Sequence, residues 1–288
     1  MPQVSIVIRT FNEEKHVGNL LKAIKKQSYQ DYEIIVVDSG STDNTALIAR
    51  DCSDIFVEIL PEDFTFGYAL NVGCQHSNGD FIVNVSAHAI PVDNYWLENL
   101  VAPFTDEKIA MVYGPHIGVE TTKFSEERDF VSAFGKTPMV IKAKPFYANN
   151  ANSAIRKVFW LSSSWDENLT GLEDIAWSQK MGEKGFPTAY QPGAAVYHIH
   201  DETWSQVFNR YRREALAARD IGLSCPPHGS RHFFHLVSKI FGDLFAAIKK
   251  GELSLNEILK FRYFQWSGSR DGWIHGIDLA NERKDLYF

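Results

Sequence analysis

Residues 33–45, EIIVVDSGSTDNT, decide the fold of this chain. Ile34 to Val37 is an unbroken β-branched run, the mark of a strand buried on both faces of a parallel sheet. Asp38 stands where that strand emerges at its carboxyl end. Ser39, Gly40 and Ser41 form a turn, and Thr42 or Asp43 can cap the helix that follows. Ligands of open α/β sheets bind outside the carboxyl ends of strands. Asp38 is therefore placed either to accept hydrogen bonds from a base or ribose, or simply to cap the next helix.

The pattern extends outward in both directions. Residues 4–8 (VSIVI) are a second apolar run, ending at Arg9-Thr10-Phe11-Asn12-Glu13-Glu14. Val17, Leu20, Leu21 and Ile24 then recur at i, i+3, i+4, i+7, the stripe of an amphipathic helix. A β-α-β start demands a parallel pair with a right-handed crossover. It puts Arg9, Glu13 and Asp38 on one edge of the sheet. Further on we expect a helix over 44–50, a strand over 54–59 and a loop becoming helix over 64–76. A strand over 81–85 ends at Ser86-Ala87-His88. A helix capped by Asp93 runs to Phe104, and a strand covers 109–113.

Composition narrows the class. The chain has 288 residues, 44% hydrophobic and 23% charged, an ordinary globular balance sufficient for one large α/β domain with an appendage. A net charge of −7 argues against a nucleic-acid partner. Cys52, Cys74 and Cys225 are scattered and odd in number, neither a disulfide framework nor a zinc pattern. No apolar run is long enough to cross a bilayer, and residue 4 already enters a strand, so no signal peptide is expected. The expectation is a cytoplasmic protein, with peripheral contact at the inner face of the membrane if its acceptor is lipid-linked.

The order β-α-β-α-β-α-β resembles the N-terminal half of family 2 glycosyltransferases of the GT-A fold. The likeness is carried by Arg9-Thr10-Phe11-Asn12-Glu13, Val37-Asp38-Ser39-Gly40-Ser41-Thr42-Asp43, Gly67 to Gly73 (GYALNVG) and Gly79-Asp80, and it covers residues 1 to about 220. It implies a Rossmann-like, mainly parallel sheet flanked by helices, here with a helical C-terminal extension. It also implies a nucleotide-sugar donor, with Asp38 at the base, Glu13 at the ribose or base, and Thr10, Phe11 and Asn71 in the same pocket. The family usually follows the fourth strand with an Asp-x-Asp motif for a divalent ion. This chain has Ser86-Ala87-His88 instead. Either His88 is one ligand of a lean Mn²⁺ or Mg²⁺ site, or the site works without metal and His88 donates to the diphosphate.

The second half supplies the remaining candidates. Residues 114–145 have mixed polarity and read as a loop-rich excursion, with Glu126-Glu127-Arg128-Asp129 as a solvated helix face. In residues 146–159 (FYANNANSAIRKVF), Asn149, Asn150 and Asn152 are possible contacts to donor or acceptor sugar, or turn formers. Glu173 and Asp174 fall in the first turn of a helix, where the macrodipole favours the ionised carboxylate a general base needs. The pair resembles the family's acidic motif on the acceptor side, which implies Asp174 as base; Glu173 then positions the acceptor, and Asp166 and Glu167 are second-rank candidates. A last strand over 190–197 leads to His198-Ile199-His200. As i and i+2 these histidines could share a face toward an ion or diphosphate, and a histidine here is similar to a third metal ligand in GT-A enzymes.

Thr203 caps a helix carrying Arg210, Arg212, Arg213 and Arg219. This reads as a cationic solvated face, with Arg213 the candidate for phosphate. Residues 224–229 (SCPPHG) break the chain, giving a domain over 1–222 and a helical extension over 230–288. Within the extension, residues 232–250 form an amphipathic helix that could dock on the domain, pair with a second subunit, or touch a membrane. A further helix runs from Ser254 to about Gln265, followed by a glycine-rich stretch and a polar tail. The function expected is inverting transfer of a sugar to a saccharide or glycolipid hydroxyl. The rival is a non-catalytic nucleotide-sugar or glycan-binding subunit with a degenerate metal motif. A dehydrogenase is disfavoured because no G-x-G-x-x-G follows the first strand.

Overall fold

Each apolar run becomes a strand where its pattern demands. A computed structural model describes residues 1–223, 230–252 and 254–275. In chain order the elements are β1 (Val4–Thr10), α1 (Val17–Ile24), β2 (Tyr32–Asp38), α2 (Thr45–Cys52), β3 (Ile55–Glu58), α3 (Phe66–His76), β4 (Phe81–Ser86), β5 (Ala89–Pro91) and α4 (Trp96–Val101). Then follow β6 (Met111–Tyr113), β7 (His116–Ile117), α5 (Phe124–Ala133), β8 (Met139–Ile141), β9 (Asn152–Arg156), α6 (Lys157–Ser162) and α7 (Glu173–Glu183). The chain continues with β10 (Thr188–Tyr190), β11 (Val196–His198), α8 (Trp204–Asp220), α9 (Ser230–Lys250) and α10 (Leu255–Ile274).

Eight strands form one sheet in the order β3-β2-β1-β4-β9-β6-β10-β8. β1 to β4 are parallel, β9 runs antiparallel between β4 and β6, and β10 is parallel to β6. This is the mixed, mainly parallel sheet flanked by helices that the resemblance implies. The β-branched residues of β1 and β2 are fully buried, as are Val17, Leu20, Leu21 and Ile24 of α1. The predicted strand over 190–197 is instead two short strands in different sheets: β10 lies between β6 and the edge strand β8 of the main sheet, and β11 pairs with β5 and β7. Pro192-Gly193 lies between them, and proline cannot donate to a ladder. Asp93 does not cap α4 directly; its carboxylate accepts from Tyr95 N at 2.8 Å, one residue before the helix.

The chain divides into two compact units. One comprises Met1–Ile117, Phe134–Asn168 and Glu173–His198; the other comprises Gly118–Ala133, Leu169–Leu172 and Ile199–Phe288. This division differs from the boundary expected at residues 224–229, which lie outside the described residues, as do Cys225 and the polar tail.

Packing explains why α8 and α5 belong with the C-terminal helices. Gly268 and Gly272, one turn apart on α10, lie against the backbone of α8: a Cβ on either would come within 2.3 Å of Phe208 O or 1.9 Å of Arg212 O. The glycine-rich stretch therefore continues the helix, because only hydrogen fits at that approach. Thr203 caps α8 in a full capping box with Gln206, as the sequence suggests.

The predicted solvated faces are corrected in this second unit. Glu126 is buried beneath Arg210 and His200, at 2.6 and 2.7 Å. Arg262 bridges Asp243 (2.7 Å) and Asp129 (2.6 Å), Arg128 also reaches Asp243 (2.9 Å), and Arg212 pairs with Asp271 (2.6 Å). Glu126, Asp129, Arg210 and Arg212 are drawn inward because each meets an opposite charge from elsewhere in the chain, whereas Glu127 and Arg219 keep the exposure expected of them.

Candidate active site

The carboxyl edge of the sheet is built by two knitted loops. Asn12, in the left-handed region at φ 52°, donates its N–H to Ser41 Oγ (2.8 Å) and accepts from Thr42 N (2.8 Å). Glu13 N donates to Thr45 Oγ1 at 2.6 Å. The Asp38 carboxylate is buried and accepts from Thr10 Oγ1 (2.8 Å), Gly40 N (3.1 Å), and both N and Oγ of Ser41 (2.8 and 2.6 Å). Asp38 thus organises the turn after β2 and clamps it to the Thr10–Phe11 backbone. Asp43 Oδ1 accepts from Thr45 N at 2.9 Å, which caps α2.

A row of histidines lies beside these loops. His88, at the turn after β4, has Nδ1 2.6 Å from Glu13 Oε1 and Nε2 3.2 Å from Ser86 Oγ. Its ring lies parallel to that of His198, with centroids 5.0 Å apart and 7° between planes. His198, at the end of β11, is buried, with Nδ1 3.0 Å from His116 Nδ1; His116 Nε2 in turn lies 2.7 Å from Asn149 Nδ2. His116 was not among the sequence candidates, because nothing in its stretch of mixed polarity set it apart.

Glu173 and Asp174 open α7 in this same unit. The preceding Leu172 sits at φ 56°, a conformation costly for any side chain bearing a Cβ. Asn150 presents both its groups to the pair: its N–H donates to Asp174 Oδ2 at 2.8 Å and its Nδ2 to Glu173 Oε1 at 3.2 Å. Ser153 Oγ (2.9 Å) and Asn84 Nδ2 (3.4 Å) fix Asn150 through its Oδ1. Asn84, a buried amide in the apolar strand FIVNVS, was a legible but unread signal.

Burial and the adjacent Glu173 push the Asp174 carboxyl up to about 8, against hydrogen bonds from Asn150 and Ile175 and the positive charge of Arg9. The sequence expectation of a carboxylate held ionised by its helix dipole is therefore corrected: desolvation and a like charge outweigh the dipole. Arg9, at the end of β1, faces this pair electrostatically and lies over the Phe66 ring at 4.9 Å.

The other amides work from behind. Asn71 Nδ2 donates to Trp165 O (3.0 Å) and Glu167 Oε1 (2.7 Å), while its Oδ1 accepts from Trp160 Nε1 and Trp165 N. All of its capacity goes into holding the segment that leads toward α7. Asn152, fully buried, joins Trp96 Nε1 (2.9 Å) to Ala194 O (2.7 Å). Asp166 stays local, accepting from Asn168 N at 2.9 Å.

In the second unit, the main-chain carbonyl of Arg213 accepts from Thr170 Oγ1 (2.9 Å). His200 meets Glu126 there, and the ligand atoms of Glu126, His200 and Glu202 lie within 4.8 Å of one another. Arg210 already supplies the positive charge among them. In the first unit, ligand nitrogens of His88 and His198 also lie within 4.8 Å of each other. This donor set, two imidazoles with Glu13 the adjacent carboxylate, suits a borderline ion such as Mn²⁺ better than Mg²⁺, which favours oxygen.

Comparison with known proteins gives consistent results. Residues 5–160 match the family described as Glycosyl transferase family 2. The O-antigen chain rhamnosyltransferase RfbN of Salmonella typhimurium is 30% identical over 220 residues, 73% of this chain and 70% of that protein. The O-antigen chain rhamnosyltransferase WbaN of Salmonella anatum is 27% identical over 222 residues, with the same coverage of 73% and 70%. Among solved structures, the mannosyltransferase PcManGT from Pyrobaculum calidifontis, in complex with GDP-Man and Mn²⁺, superposes with a TM-score of 0.64 at 18% identity, covering 94% of this chain and 87% of that one. That likeness shows the GT-A fold.

Proposed function

Since the chain belongs to glycosyl transferase family 2 and is a glycosyltransferase, we propose that it transfers a sugar with inversion from a nucleotide-sugar donor to a hydroxyl of a saccharide, free or lipid-linked, in polysaccharide assembly. The observation that carries this reading is the Glu173–Asp174 pair, locked by Asn150 at the start of α7. Asp174 is the base. An acceptor hydroxyl is a poor nucleophile until its proton can leave. Asp174 takes that proton while the oxygen attacks the anomeric carbon, and the bond from that carbon to the diphosphate oxygen breaks. One in-line displacement inverts the centre and releases a nucleoside diphosphate. A group titrating near 8 is well matched to proton transfer close to neutral pH.

The donor lies along the loops after β1 and β2. The Thr10–Phe11 backbone and the Asp38 turn meet the base, and Glu13 the ribose. His88 and His198 are the residues that would hold a divalent ion, which when bound neutralises charge on the leaving diphosphate. The rhamnosyltransferase relatives put nucleoside-diphosphate rhamnose first among candidate donors.

Thermal melting against nucleoside diphosphates and nucleotide sugars, with Mn²⁺, with Mg²⁺ and with chelator, tests this reading. A donor at a hundredfold excess over its dissociation constant stabilises by about 2.7 kcal/mol. Loss of the Mn²⁺-dependent part of the shift in His198→Ala supports the ion site. Ser86-Ala87-His88 in place of paired carboxylates favours the second reading, a non-catalytic binding subunit. Donor binding with neither transfer nor hydrolysis would establish it.

A further inference from the structure

We propose that the outward face of α9, with the adjoining edge of α10, is a seat for an anionic lipid surface. On α9, Phe234, Phe241, Phe245 and Ile248 are 67%, 68%, 74% and 66% exposed. At 100° per residue they fall within an arc of about 60°, in a ladder about 21 Å long. Phe233 extends the ladder at one end, and Leu255, Leu259 and Tyr263 repeat the feature at four-residue spacing on α10. The opposite side of α9 is spent inside its own unit: Asp243 is taken by Arg262 and Arg128, and Ala247 packs with Phe124 and Ile258. Water-facing phenylalanines in register along one helix face are not explained by folding of this unit.

The charges around the ladder identify its occupant. Among the described residues of 230–275, the exposed cations are Lys249, Lys260 and Arg270, together with Lys250, which is turned to the inward side of α9, where it meets Glu127 at 3.5 Å and the exposed Glu252 at 4.0 Å. This is a positive surface on a chain whose net charge is −7. Aromatic and aliphatic side chains flanked by long cationic ones match an interface of acyl chains and anionic headgroups. A second copy of the same face fits poorly, since it would set these cations against their own kind.

Co-sedimentation of the full chain with phosphatidylcholine vesicles, with and without phosphatidylglycerol, tests the assignment. Binding is expected to the phosphatidylglycerol vesicles and to weaken at high salt. Phe241→Ser/Phe245→Ser lowers the partition coefficient about tenfold or more, and Lys249→Glu/Arg270→Glu also weakens it. All four positions are exposed, so the fold survives, and an unchanged melting temperature verifies this. No binding by the unaltered chain overturns the assignment, as does equal binding by the phenylalanine variant. A concentration-dependent dimer abolished by Phe241→Ser/Phe245→Ser also overturns it, giving the face to a second copy. The catalytic reading is untouched by any of these outcomes.

Discussion

Helices α5 and α7 each carry two carboxylates in their first turn, Glu126 and Glu127 in one, Glu173 and Asp174 in the other. Burial alone would raise any of these acids, and around Glu126 it is overcome. The hydrogen bond from His200 and the charge of Arg210 hold its carboxyl down at about 2. Around Asp174 burial wins, with Glu173 adding to it, and the carboxyl rises to about 8. Glu126 has the Arg210 guanidinium and the His200 ring within hydrogen-bonding reach; Asp174 has main-chain amides, a like charge and the field of Arg9. The same local signal thus produces an ion pair that holds structure in one unit and a group poised to exchange a proton in the other.

The sharpest test of this contrast removes each charge. Asp174→Asn should lower kcat about 10²- to 10⁴-fold while donor binding stays intact by calorimetry. Glu126→Gln should leave turnover per folded molecule near normal. Near-full activity in Asp174→Asn would remove Asp174 as the base and dissolve the comparison.

Stability should respond in reverse. Arg262→Ala leaves the buried Asp243 with Arg128 as its remaining cation and Asp129 with Lys239, and should cost about 3–5 kcal/mol in denaturant melts. Asp174→Asn should instead stabilise. An acid raised in the folded state remains protonated while the unfolded chain ionises, so native stability declines as pH climbs from the ordinary carboxylate range toward about 8. The asparagine escapes that decline, so its stability advantage should grow as pH rises toward about 8. For Glu126 the sign is opposite: its contribution is full above the ordinary glutamate value and is lost as pH falls toward about 2.

The pH–rate profile reads the same groups in the working enzyme. The rate should climb as pH rises through about 8, where Asp174 gives up its proton. A limb centred in the ordinary carboxylate range would mean that bound donor has reversed the balance of burial and charge. The smallest effect concerns Arg9. Arg9→Gln removes the cation that opposes the raised value, and should move the limb upward by about half to one pH unit without changing donor affinity. An unmoved limb would show that Arg9 is not the counter-charge of the pair.

Much of the first unit was legible in the sequence. Its strands are continuous apolar runs, and their carboxyl ends follow from chain direction alone, so Thr10, Glu13, Asp38 and His88 could be placed at one edge before any coordinates. The acid pair was legible as a helix start. Its titration was not, because that depends first on burial, which only the fold creates, set against Asn150 and Arg9, which are distant in sequence. The buried ion network was misread as solvated surface, since an isolated charged stretch looks the same whether its partners are water or distant arginines. The helix was expected to end near Gln265, before the glycines of α10, because the α8 backbone they accommodate is sixty residues away.

Sequence by itself determined the β-α-β order, the parallel core, the Thr203 cap of α8 and the family, since these depend on periodicity and on neighbours within a few residues. Only the tertiary structure decided which carboxylate is paired and which is perturbed, which amide holds the acid pair and which brace neighbouring segments, and which face of α9 remains exposed. Burial and charge act through space, and the groups that set them are brought together only by the fold.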